Sequence, residues 1–196
     1  MNNVLQKHLK LFEIPCLPLP EMYKETMKHL AVEGLWLECG VYKGDSARNI
    51  LDCDTSGQKI LYGFDSFLGM EENLTPRNHK GICALSEIPE YPSNLKLIKG
   101  LVQDTLIDFL DEHINEPIAF VNLDMTYTPV FYVLETLAKY NKLKPGTIVS
   151  IQQAILAEKD KIYAGNYQAF IDVAKKYNLL FKHLVTSDVH LSLQFI

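Results

Sequence analysis

The chain has 196 residues, 47% of them hydrophobic and 22% charged, and a formal net charge of −5. That length suits one domain and that balance supplies a sizeable core, which excludes the disordered and fibrous classes. The negative charge argues against a duplex nucleic-acid binder, which needs a basic face toward phosphates, and no run of about 18 apolar residues suggests a membrane span. The first residues lack the apolar stretch of a signal peptide, so a cytoplasmic location is the default expectation. Cys16, Cys39, Cys53 and Cys83 are scattered without metal-type spacing and read as buried, reduced thiols.

In chain order, the spacing of Met22, Met27, Leu30 and Ala31 predicts an amphipathic helix over 21–32, ended by Gly34. Residues 1–33 are accordingly expected as an N-terminal helical segment and 34–196 as the main domain. Leu35 to Val41 reads as a strand, Gly40 as a tight turn and Ser46 to Leu51 as a helix. Further strands are predicted at 59–65, 95–100, 118–124 and 147–151, with helices at 105–113, 129–140 and 167–177. Thr105 is expected near a helix start and Pro129 in a first turn. Between the second and third strands, 69–93 holds three prolines and little periodicity, which predicts an irregular insertion with a short helix. Two apolar runs, 179–185 and 189–196, flank Thr186-Ser187-Asp188 and predict a closing hairpin.

Alternating strands and helices imply an α/β fold: a doubly wound, mostly parallel seven-stranded sheet ending in a C-terminal antiparallel hairpin, a Rossmann-like arrangement. No GxGxxG and no GxxxxGK[ST] occurs, which weighs against a nicotinamide-dependent oxidoreductase and against a phosphate-cradling loop. Ligands of such sheets sit outside the carboxyl ends of the strands. Gly40 there lets backbone approach a ligand, Glu38 supplies a negative group, and Asp65, ending the second strand, can accept ribose hydroxyls as hydrogen bonds.

Leu37-Glu38-Cys39-Gly40-Val41-Tyr42-Lys43-Gly44-Asp45-Ser46 resembles the "LE-x-GV-x-x-G-x-S" segment of the macrocin O-methyltransferase-like group of class I methyltransferases. Gly63-Phe64-Asp65-Ser66-Phe67-Leu68-Gly69-Met70 is similar to its "GFDSFEGLP", and Lys99-Gly100-Leu101-Val102-Gln103-Asp104-Thr105-Leu106 to its "KGxFxDTL". With Leu123-Asp124 as the fourth motif, the resemblance spans most of 35–151. It implies S-adenosylmethionine as cofactor, with Glu38, Gly40 and Tyr42 around the methionine part and Ser46 nearby. Asp65 would hold the ribose, Ser66 and Phe67 would flank the adenosine, and Gln103 and Asp104 would lie beside the adenine.

The chain departs from the metal-dependent members, whose fourth strand ends "LDxDxY" and whose fifth ends "IDD". Here Thr126 stands for the second acid and Gln152 and Gln153 for the last pair. A hard cation needs carboxylate oxygens, so no tightly bound metal is expected. Asp124 is then a candidate general base, a partner for the cofactor's ammonium group, or structural. His79, in the insertion, is a second candidate base ahead of His113. The expectation is methyl transfer to a small-molecule hydroxyl or amine acceptor. A non-catalytic S-adenosylmethionine-binding protein is the alternative that the two glutamines raise. Tyr127, Tyr163 and Tyr167 line an aromatic cleft or are simply buried. Neither the acceptor nor the oligomeric state is legible, and homo-oligomer formation stays open.

Overall fold

The computed structural model describes residues 14–71, 73, 79–152, 156–158, 161–163, 165–187 and 190–196. The elements are α1 (Leu19–Met27), β1 (Leu35–Cys39), α2 (Asp45–Leu51), β2 (Leu61–Asp65), β3 (Leu95–Lys99), α3 (Val102–Glu112) and β4 (Ile118–Leu123). They continue with α4 (Tyr127–Lys139), β5 (Ile148–Gln152), β6 (Leu156–Glu158), β7 (Lys161–Tyr163), α5 (Asn166–Lys176), β8 (Phe181–Thr186) and β9 (His190–Phe195).

Seven strands form one sheet in the order β3-β2-β1-β4-β5-β9-β8. The first five are parallel, and β9 runs antiparallel between β5 and β8, so the C-terminal hairpin inserts its second strand next to the parallel core. Parallel strands buried on both faces should read as continuous apolar runs, and β1 does, with all five residues buried. Its side chains alternate: Leu35, Leu37 and Cys39 enter the core under α3, α4 and α5, while Trp36 enters the core under α1 and α2. Strand order reverses at β1, between β2 and β4, which is where a doubly wound sheet opens a crevice for ligands.

Helix α1 ends at Met27, earlier than its apolar spacing predicts, and Gly34 instead leads into β1. Met22 and Tyr23 of α1 are fully buried against the sheet, so this segment contributes to the core. Just before it, Leu17 N–H donates to Thr186 O (2.8 Å) and Thr186 N–H to Pro15 O (2.9 Å), covering part of the β8 edge. Residues 1–13 lie outside the described residues, as do Gln153, Asp188 of the predicted hairpin turn, and the Tyr163 side chain.

Thr105 lies inside α3, where its hydroxyl donates to Leu101 O (3.0 Å) rather than capping a helix start. The short helix expected within 69–93 is absent among the described residues, and the small β6-β7 hairpin was not anticipated.

Candidate functional site

The strand tips are stitched by backbone. Asp124 N–H donates to Cys39 O (2.8 Å) and Gly40 N–H to Phe64 O (2.9 Å), joining the ends of β4, β1 and β2. Gly40 has φ +89°, and a Cβ there would overlap the Asp124 carbonyl oxygen, so only glycine lets the β1 and β4 exits meet this closely. Tyr91, from the end of the insertion, donates its phenol to Tyr42 O (2.5 Å), and its ring occupies the space a Cβ on Gly44 would need.

Asp65 organises the turn after β1. Its Oδ2 accepts from Val41 N–H (2.8 Å) and Tyr42 N–H (2.7 Å), and its Oδ1 from Phe67 N–H (2.7 Å). Tyr42 and Phe67 take positive φ, 49° and 58°, in the two turns that wrap this carboxylate. A carboxylate offers about four acceptor sites, and three are taken. Capacity remains for about one further donor, where the sequence suggested room for two ribose hydroxyls.

These turns frame a cleft of about 290 Å³ at the C-terminal ends of the strands. Gly40, Tyr42, Asp65, Ser66, Gln103 and Asp124 all line it. So do Thr126 and Gln152, whose side chains carry its unusual chemistry. The Gln152 carboxamide abuts the Asp124 carboxylate, and with its nitrogen turned inward it donates to both Asp124 oxygens. Burial, reinforced by the nearby Asp65 charge, pushes the Asp124 carboxyl up to about 7. The Thr126 hydroxyl and Gln103 Oε1 are buried without a hydrogen-bond partner.

Glu38 occupies a different place from the one its motif suggested. It follows Trp36 onto the α1 and α2 side of the sheet and is fully buried. Its Oε1 accepts from Ser46 Oγ–H (2.5 Å) and Asn122 Nδ2–H (2.9 Å), while Tyr23 donates to Asn122 Oδ1 (3.2 Å). Oε2 has no partner. Burial pushes the Glu38 carboxyl up to about 8; the Ser46 and Asn122 bonds pull it down, and the Asp124 and Asp65 charges push it further up.

A raised carboxyl has a definite sign for stability. The unfolded chain loses this proton near its ordinary 4.5 while the folded chain holds it to about 8. The contribution is therefore full below that lower value and lost as pH rises through the upper one, by at most about 1.4 kcal/mol per pH unit. Glu38→Gln keeps an acceptor for Ser46 and Asn122 without a titrating proton. Its chemical-denaturation midpoint should fall less than wild type between pH 5 and 8. Parallel curves would refute a protonated Glu38.

Among the remaining residues singled out by sequence, Ser46 is committed to Glu38 and Phe67 is buried, 5% exposed, lending the site its backbone N–H. Asp104 is exposed on the first turn of α3 and does not line the cleft. His79 is exposed, with Nδ1 near Lys80 O (3.0 Å), and His113 packs on Tyr62 and Phe109. Neither histidine lines the cleft. Tyr167 is fully buried with its hydroxyl 3.0 Å from His183 Nε2 and serves packing, whereas Tyr127 is exposed and donates to Asp172 (3.1 Å); neither lines the cleft. Sequence reasoning missed Asn122 and Tyr23. Asn122 carried a usable signal: a polar residue inside an apolar strand that registers directly against Glu38.

A family model described as "Methyltransferase domain" matches residues 37–152. No curated protein matches the chain. Among solved structures, the fold is similar to the calicheamicin methyltransferase CalS11, with TM-score 0.69, 21% identity, and coverage of 99% of this chain and 85% of that one. It is also similar to the O-methyltransferase NovP, with TM-score 0.61, 16% identity, and coverage of 90% and 77%. A third is an O-methyltransferase from Bacillus cereus in complex with SAH, at TM-score 0.53, 13% identity, and coverage of 99% and 91%.

Proposed function

The chain belongs to the methyltransferase-domain family, and from that premise we propose that it transfers a methyl group from S-adenosylmethionine to a hydroxyl of a small-molecule acceptor without a metal ion. The observation that carries this reading is a half-buried carboxylate, Asp124, in a cleft at the switch point of the sheet, beside the Asp65-organised turn.

The cleft's donor set suits the cofactor. Asp65 keeps one acceptor site for a ribose hydroxyl, Gly40 gives room and bare backbone, and the unpartnered Gln103 Oε1 can accept from an adenine amino group. Tyr42 and Ser66 line the same wall. Glu38, with Ser46 and Asn122, supports the turn from beneath. When bound, the cofactor supplies a methyl group already activated on a sulfonium, so orientation can provide much of the rate.

Asp124 accepts the proton of the acceptor hydroxyl. A carboxyl near 7 is matched to that task, since a substantial fraction is ionised near neutral pH while the carboxylate is basic enough to take a proton. His79 stands outside the cleft and has no part in this step.

The donor set does not suit a hard cation. Beside Asp124 stand only a carboxamide already engaged with it and a neutral threonine hydroxyl, the Asp65 carboxylate is committed to three backbone N–H groups, and no group of three His, Cys, Asp or Glu residues gathers among the described residues. Calorimetric titration with magnesium should give no binding heat; a micromolar affinity would contradict the metal-free reading.

The functional reading is tested by incubating the purified protein with methyl-labelled S-adenosylmethionine and a small-metabolite extract. A labelled methyl ether is the expected product. Tight binding without any labelled product would favour a non-catalytic S-adenosylmethionine-binding protein instead.

A further inference from the structure

Gln152 is the side chain that meets the Asp124 carboxylate, and no other side-chain donor reaches that group among the described residues. The neighbouring titratable groups are Asp65 at the tip of β2, the buried Glu38 on β1, the Cys83 thiol on the same cleft and the buried Tyr23 phenol, none of them a cation. Thr126, on the same cleft, leaves its hydroxyl oxygen without a partner and so does not share the contact. A carboxamide carries donors and an acceptor on one planar group. It can donate from nitrogen to an ionised carboxylate and, turned over, accept through oxygen from a protonated carboxyl.

We propose that Gln152 is a positioning residue for methyl transfer, its amide holding the Asp124 carboxyl group in place in both protonation states. The inference rests on the reading of Asp124 as the proton-accepting group. In the transfer step the acceptor O–H bond breaks, a new O–C bond forms, and the methyl–sulfur bond breaks with its electron pair returning to sulfur. The proton ends on Asp124, and Gln152 turns its oxygen toward it. A cation in the same place would favour the ionised form alone and oppose that protonation. The amide lets Asp124 take up and release a proton without leaving its geometry.

The test follows the Gln152 side-chain amide resonances by NMR against pH, together with the Asp124 carboxyl resonance, in wild type, Asp124→Asn, Gln152→Leu and Gln152→Met. In wild type the amide resonances should titrate with the Asp124 midpoint, and in Asp124→Asn that response should vanish. A bond to an ionised group is roughly twice as strong as one to its neutral form, so removing the amide should raise the Asp124 midpoint by about half a pH unit or more. Gln152→Met preserves side-chain length and answers the question if Gln152→Leu does not fold. Amide resonances indifferent to the Asp124 midpoint, or a midpoint unmoved in a folded Gln152 variant, would overturn the proposal. S-adenosylhomocysteine is titrated into the same wild-type sample; failure to bind it would overturn the functional reading instead, on a separate signal.

Discussion

Asp65→Ala is expected to weaken S-adenosylhomocysteine binding by on the order of a hundredfold and to lower stability by about 2–4 kcal/mol. Both effects come from one carboxylate. Three backbone N–H groups, from Val41, Tyr42 and Phe67, lose their acceptor together, and hydrogen bonds to a charged group are worth about 1.5–3 kcal/mol each. The side chain is partly exposed, so water recovers part of that loss and the sum falls short of three full bonds. The turns carrying Gly40, Tyr42 and Ser66 then lose the anchor that fixes them. Calorimetric titration and thermal unfolding separate the two effects, and Asp65→Asn, which keeps one acceptor oxygen, should fall between wild type and alanine in both. Unchanged affinity and unchanged melting in Asp65→Ala would remove Asp65 from the site.

Asp124→Asn is expected to behave in the opposite way, sparing binding and removing chemistry. The amide is nearly isosteric, so S-adenosylhomocysteine affinity should stay within about fivefold, while turnover of the acceptor falls by roughly 10²–10⁴, the usual worth of a positioned base. Wild-type turnover should rise with pH through about 7, as the Asp124 carboxyl ionises, and level off above it. The residual activity of Asp124→Asn should lack that rise. Full turnover in the variant would leave Asp124 a structural role only.

Much of this was legible in the chain, for identifiable reasons. Strands β1, β2, β4 and β5 are apolar runs bounded by Gly, Asp or Pro, and buried parallel strands admit few other readings. Gly40, Asp65 and Asp124 stand where such strands end, so their position at one crevice followed from the topology. The direction of Glu38 did not. A strand buried on both faces has no polar alternation to say which way a side chain points, and Glu38 went with Trp36 into the α1 and α2 core.

Its partners come from far away in sequence: Asn122 is 84 residues on, and Tyr23 lies 99 residues before Asn122. Gln152 was visible only as a missing acid, because a contact with Asp124 depends on the β4 and β5 tips lying side by side. The occupancy of Asp65 by backbone was hidden for a similar reason. Turns that bend N–H groups onto a carboxylate leave no mark in residue type except glycines, and Tyr42 and Phe67 adopt positive φ without being glycine.

The most direct measurement is isothermal titration of the purified chain with S-adenosylhomocysteine, NADH serving as competitor. One molecule should bind per chain, undisturbed by NADH or by a chelator. No heat of binding, or displacement by NADH, would contradict an adenosyl-amino-acid cleft at the tips of β1, β2 and β4.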